Sequence, residues 1–224
     1  MTELFLDIET AQIYKNAEEY NAIKEKFDKG ELLIQGNKNE HWKFQKGALN
    51  PFEGKVVAIT YAIDGNEKVI LKEWESSEKE ILAEFYNVLK GLEWPVKIIG
   101  VNISGFDIPF LHERMRKLGI DSEIWLYKSL RSAFQMDLIQ MHLPVNDFNG
   151  KGISHNNICA AYGCPVKENK GATISDLYYN GKYQEILGYI EQEFVHTKLF
   201  KTIKEKGIVS KEDFQKILNL SKGG

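Results

Sequence analysis

Cysteine is scarce in this sequence: Cys159 and Cys164 are the only two in 224 residues. No Cys/His cluster surrounds them, which excludes a disulfide framework and a zinc site and leaves two reduced structural thiols. No apolar run approaches the ~18–20 residues that a membrane span needs. No signal peptide opens the chain, because Met1 leads almost directly into a strand with an acidic residue in it. A soluble cytoplasmic protein with no membrane partner is expected. A dominant charge sign is also missing: 29 Lys+Arg stand against 32 Asp+Glu, a net charge of −3. Bulk electrostatics therefore do not advertise nucleic-acid binding, and such a function would need local basic patches, bound metal ions, or both. What is present is a globular composition, 43% hydrophobic and 27% charged. That excludes a disordered chain and suffices for one substantial core. The length suits a single α/β domain carrying an insertion. With no repeat, low-complexity stretch or clear linker, residues 1–224 are read as one domain.

Leu4-Phe5-Leu6 is a short apolar run, a candidate buried strand. From Gln12 to about Lys29 the chain is charged, with Ile13, Tyr20, Ile23 and Phe27 at helical spacing, as on a surface helix. From Gly30 to Gly54 the pattern breaks into turn residues with embedded aromatics, so 12–54 reads as an insertion between two strands. Lys55 to Ile63 is β-branched-rich and ends at Asp64-Gly65, a hairpin turn signal, with Val69-Ile70-Leu71 returning. Ser77-Glu78-Lys79-Glu80 is a capping box that opens a helix with Ile81, Leu82, Phe85, Val88, Leu89 and Leu92 on one face. Val96 to Val101 is another strand. Pro109 suits the first turn of the next helix, and Gly119 its end. Further helices are expected over Ile153–Tyr162, Ile174–Tyr179 and Gln184–Lys206. A last amphipathic one, in a C-terminal extension at 207–224, begins at Ser210 and carries Phe214, Ile217 and Leu218. A hairpin followed by βα units predicts a mixed sheet flanked by helices, an α/β fold.

Three features carry possible chemistry. Asp7-Ile8-Glu9 puts two carboxylates on one face of a strand, where they suit Mg²⁺ or Mn²⁺. Chance alone supplies about one such pair in a chain of this size. Asp121-Ser-Glu123 is a second copy, in a polar stretch after Gly119, and reads as a solvated turn. The second feature runs from Ile98 to Asp107: a buried strand, a Gly-containing turn, then Asn102, Phe106 and Asp107 at the start of a helix. Asp107 alone would pass for a carboxylate stabilising the helix macrodipole, and Phe106 for a core residue. In the third, Tyr189, Glu193 and Thr197 follow one another at four-residue spacing along one helical face.

Together and in this order, these residues resemble the three exonuclease motifs of the ribonuclease H-like, DnaQ-type 3′→5′ exonucleases. The subgroup resembled has a motif tyrosine and is related to the proofreading domain of B-family DNA polymerases. Asp7 and Glu9 match the first motif, and Asn102, Phe106 and Asp107 the second. Tyr189 matches the third, with Glu193 in its aspartate position. Met136-Asp137-Leu138 is similar to the family's intervening Asp-Leu element. The resemblance covers roughly residues 3–10 and 50–205. It implies a central mixed five-stranded sheet and hydrolysis of phosphodiester bonds with two divalent ions. Asp7 would bridge the ions, Glu9 and Glu193 would complete the water-activating site, and Asp107 would hold the second ion through water. Tyr189 would orient the water. It also implies, as substrate, nucleic acid with a free 3′ end, single-stranded DNA in the first instance, and release of 5′-mononucleotides.

Glu193 is the departure. Glutamate is one methylene longer than aspartate, which moves the carboxylate by about 1–1.5 Å. Either the helix accommodates it, or activity is weakened, or the site binds without cutting. Ile8, Thr10, Asn102 and Phe106 stand beside the acidic residues and are the expected substrate contacts, Ile8 and Phe106 as wedges near the terminal base. His41 to Lys46 interleaves aromatic and basic residues. Such a patch either stacks bases of a single strand or packs the insertion onto the core. His196 is read as a solvated residue or one supporting the site from behind. Lys151, Lys167 and Lys170 are read as surface lysines.

Overall fold

The computed structural model describes all residues except 35–37, 122–128, 130–132, 167–172 and 221–224, and the side chains of the rest except those of Ile34, Glu193 and 217–220. Lys167, Lys170, Ser122 and Glu123, and the side chains of Ile217 and Leu218, thus lie outside the described residues. Five strands form one mixed sheet in the order β3-β2-β1-β4-β5. They are β1 Glu3–Gln12, β2 Gly54–Ile63, β3 Val69–Lys72, β4 Lys97–Gly100 and β5 Phe134–Asp137. β1 and β2 pair antiparallel, as do β2 and β3, whereas β1, β4 and β5 run parallel. The β2–β3 connection turns through Asp64 and Gly65, both at positive φ (53° and 75°), as a tight hairpin requires.

Period-2 alternation on β1 sorts its side chains between two cores. Leu4, Leu6 and Ile8 bury against Leu82, Phe85, Ile108 and Leu111 of α4 (Glu78–Gly91) and α5 (Asp107–Lys117). Phe5 faces the other way, into a core with Ile186, Ile190, Leu199 and Ile203. Asp7 and Glu9 share the Phe5 side of the strand. Ser77 caps α4 as expected, accepting from the Glu80 N–H at 3.3 Å and donating to Glu80 Oε2 at 2.7 Å. Among the described residues, no helix is long and apolar enough to cross a membrane. Both cysteines are reduced and buried.

Several expectations need correction. β1 continues to Gln12, so the first helix, α1, begins only at Ala17, capped by Asn16, whose Oδ1 accepts from the Glu19 N–H at 2.9 Å. The stretch read as turns from Gly30 forms helices α2 (Glu31–Ile34) and α3 (Lys38–Lys46) and a 3-10 turn at Gly47–Leu49. His41 and Phe44 of α3 pack inward on Phe27 of α1, which favours helix over an open loop. Asp121 is not solvated: it is 1% exposed and accepts from the Tyr86 hydroxyl at 3.3 Å.

The long helix expected over Gln184–Lys206 is two helices, α9 (Tyr183–Glu193) and α10 (His196–Lys206). The break lies at Phe194 (ψ 65°) and Val195. An unbroken helix would carry the buried stripe of Ile186 and Ile190 on to positions 194, 197 and 201. The residues buried on α10 are instead His196, Leu199, Phe200 and Ile203, so the break re-phases the stripe by about one residue. Thr197 consequently leaves the face of Tyr189. Among the described residues, further helices are α6 (Leu138–His142), α7 (His155–Ala161), α8 (Ile174–Tyr179) and α11 (Lys211–Leu220).

Candidate active site

β4 stops at Gly100, and its last pairing with β1 is Phe5 with Ile99. Beyond that point β1 runs on without a β4 neighbour, and a crevice opens at the carboxyl ends of two parallel strands, where open α/β sheets bind ligands. The chain turns sharply there. Asn102 adopts φ 60°, a left-handed conformation that asparagine tolerates better than most residues. Asp137, at the end of β5, holds this turn by accepting from the Asn102 and Ser104 N–H groups, both at 3.0 Å, and from Ile139 N–H at 2.9 Å. The Asp-Leu element thus clamps the turn and caps α6. The turn delivers Asp107 as the first residue of α5, and its Oδ1 accepts the Ile8 N–H at 2.9 Å. This one bond joins the first and second motifs across 99 residues.

Asp7, Ile8, Glu9 and Thr10 from β1, Asn102, Phe106 and Asp107 from the turn, and Tyr189 from α9 all line one cleft of about 780 Å³. Glu193 ends α9 one turn beyond Tyr189, and its side chain lies outside the described ones. Glu9 is 7% exposed and Asp107 3%, whereas Asp7 is half-buried. The Thr10 hydroxyl is engaged, donating to the Ala48 carbonyl at 2.7 Å, so it ties down the segment between β1 and β2. Asp107→Ala should lower stability by about 1–3 kcal/mol, because the buried Ile8 N–H would lose its acceptor. Thermal unfolding of the variant beside the parent measures this.

The donor set fits a hard divalent cation. Of the carboxylates that line the cleft, Asp7, Glu9 and Asp107 come from the first two motifs, Glu9 and Asp107 nearly buried, and a cation there would offset the cost of holding those charges away from water. Among the described residues, no three His, Cys, Asp or Glu side chains form a ligand cluster.

The segment between β1 and β2 forms another wall, through Tyr20, Lys24, Phe44 and Leu49 among others. Phe44 is buried, His41 packs on Phe27 at 4.8 Å between ring centroids, and Lys43 lies over Tyr14 at 4.6 Å. These side chains of the His41–Lys46 stretch therefore pack the segment, while Trp42 stays exposed. Tyr20 stacks on Tyr179 of α8 at 4.6 Å and donates its hydroxyl to Asp176 Oδ1 at 2.7 Å. Burial, and then that bond, push the Tyr20 hydroxyl well above its ordinary pKa. Burial alone would raise Asp176, but the Tyr20 and Thr173 hydrogen bonds and the Lys24 charge outweigh it and hold the carboxyl below its usual value.

His196 also lines the cleft and is fully buried. Burial lowers its pKa to about 3, neighbouring His155 adds to that, and the Leu6 carbonyl opposes it only in part. It is a neutral imidazole at physiological pH and not a solvated one. Lys24 and His155 have no motif spacing in the sequence, and Asp176 shows there only as the fourth residue of a capping box with Thr173.

A mixed sheet of this order, with helices on both faces and carboxylates at the crevice, defines an α/β protein of the ribonuclease H-like class. Residues 49–222 match the model of a family described as predicted 3′-5′ exonuclease related to the exonuclease domain of PolB. The chain belongs to that family. β1, with Asp7 and Glu9, precedes the matched residues. No curated protein matches the chain. Its fold is similar to that of the family B DNA polymerase from the hyperthermophilic archaeon Pyrobaculum calidifontis. The TM-score is 0.55 at 15% identity, over 92% of this chain and 24% of the polymerase. The chain thus spans about a quarter of the polymerase's length.

Proposed function

We propose that this chain, read as one exonuclease domain over 1–224, is a metal-dependent 3′→5′ exonuclease. It takes nucleic acid with a free 3′ end, single-stranded DNA in the first instance, and releases 5′-mononucleotides. The observation that carries the reading is the convergence of Asp7, Glu9 and Asp107 with Tyr189 in one cleft of a family member. Asp7, Glu9, Asp107 and Glu193 would hold Mg²⁺ or Mn²⁺. When bound, such ions acidify the attacking water and offset charge on the leaving 3′ oxygen. Tyr189 orients the water. Ile8 and Phe106 line the cleft with Asp107 and would hold the terminal base apart from its neighbour. Asn102, exposed on the same turn, offers amide hydrogen bonds to the sugar or base.

Incubation of 5′-labelled single-stranded DNA and RNA with Mg²⁺ or Mn²⁺ tests the reading. A ladder shortening from the 3′ end and abolished by chelator is expected. Binding with no shortening under either metal would overturn it, in favour of a nucleic-acid-binding module of the same fold. Glu193, in the position of an aspartate, is the residue that favours this second reading. Glu193→Asp should raise the single-turnover rate, because misplacing a carboxylate by an ångström at a reacting centre can cost about 10²-fold. A fall in rate would mean that the site is built around glutamate.

A further inference from the structure

Carboxylates outnumber cations in the cleft. Asp7, Glu9, Asp28, Asp107 and Asp176 line it, and Lys24 is the one Lys or Arg among the described residues that does. A polyanionic strand needs positive charge along its path, and bound cations at the Asp7 end serve only the phosphate there. Lys24 stands on α1, in the segment that precedes the family match. Its Nζ lies 3.3 Å from Asp28 Oδ2 and 3.5 Å from Asp176 Oδ1, and its side chain is 36% exposed. Both distances exceed the roughly 2.7–2.9 Å of a well-formed charge-assisted hydrogen bond. Such contacts aim an ammonium without using up its three donors. The aim is rigid because Asp176 is held by the Tyr20 hydroxyl at 2.7 Å and by the Thr173 hydroxyl at 3.1 Å.

We infer that Lys24 is a phosphate-binding residue, taking a backbone phosphate of the strand whose 3′ end occupies the Asp7 end of the cleft, an inference that rests on the exonuclease reading above. The segment between β1 and β2 is then part of the substrate site and not a passive decoration. An ion pair that merely fastens α1 to α8 would affect folding but not the salt dependence of binding.

The test uses the full chain with Asp7→Ala, so that a labelled single-stranded oligonucleotide survives, in Mg²⁺ across a range of NaCl. Lys24→Met and Lys24→Gln should each weaken binding several-fold at low salt. Each should reduce the slope of log K against log salt by about 0.7, the value for one phosphate contact on a single strand. Lys24→Arg should keep the slope, and so should Lys26→Met, an exposed lysine on the same helix that does not line the cleft. With Asp7 intact, Lys24→Met should raise KM and leave kcat within about twofold, the signature of lost uniform binding. An unchanged slope in folded Lys24→Met and Lys24→Gln, while the unmodified chain shortens the oligonucleotide, overturns the role of Lys24 and leaves the exonuclease reading standing. An oligonucleotide neither bound nor shortened by the unmodified chain overturns both.

Discussion

Asp7→Ala should abolish Mg²⁺-dependent shortening of a 5′-labelled oligonucleotide, by about 10³-fold or more, while the protein stays folded. Several kcal/mol of charge stabilisation depend on bound metal, and each 1.36 kcal/mol is about tenfold in rate. The residue's structural share is small by comparison. Its backbone stays in the β1–β2 ladder opposite Thr60, its side chain is only half-buried, and the cores on either side of β1 are built by its neighbours. The melting temperature should therefore move by no more than about 2–4 °C, the equivalent of about 1 kcal/mol in a chain of this length. Activity and melting measured on one preparation check both halves. Robust hydrolysis by the variant would remove Asp7 from the machinery.

Gly100→Ala should give the largest loss of stability among single-methyl changes near the site. A Cβ at Gly100 would stand 2.5 Å from the Leu6 carbonyl oxygen and 2.4 Å from Ile103 Cγ2. The first is backbone of the central strand and cannot move aside cheaply. Overpacking of this kind costs about 1–3 kcal/mol or more, about 2–4 °C of melting temperature for each kcal/mol. The strain falls where β4 leaves the sheet for the turn that positions Asn102 and Asp107, so activity should drop with stability. Gly91→Ala is the internal comparison: it lies at the end of α4 with nothing within 4 Å of a built Cβ, and the change should be neutral or stabilising. Equal melting temperatures for the two variants would show that β4 and β1 have room to separate.

Much of the site was legible because its signals are local. Alternation along β1 alone puts Asp7 and Glu9 on one face. A strand that runs into a Gly-containing turn and then Pro109 foretells a helix beginning near Asp107. The hairpin at Asp64-Gly65 and the caps at Ser77 and Ser210 are likewise each written within a few residues. Glu193 was legible as a departure from the motif, although its side chain lies outside the described ones.

The errors share a cause. Asp121 looked solvated because its sequence neighbours are polar, but Tyr86, 35 residues away, supplies a partner. The helix over Gln184–Lys206 looked continuous because its composition is helical throughout. Only the need to bury both Ile190 and Leu199 against one core imposes the break at Phe194 and Val195. The polarity of Gln12 hides the end of β1, and its pairing with Gly54 of β2 cannot be seen from either segment alone.

The sequence by itself therefore determined the strand that carries Asp7 and Glu9, the turn that carries Asn102 and Asp107, and the tyrosine helix, because period, cap and turn are properties of neighbouring residues. Tertiary structure alone decided how these meet. The Ile8–Asp107 bond spans 99 residues, and the Tyr20–Asp176 bond that aims Lys24 spans 156. Contacts of that separation form only when segments distant in the chain pack together, and local pattern does not encode that choice of partner.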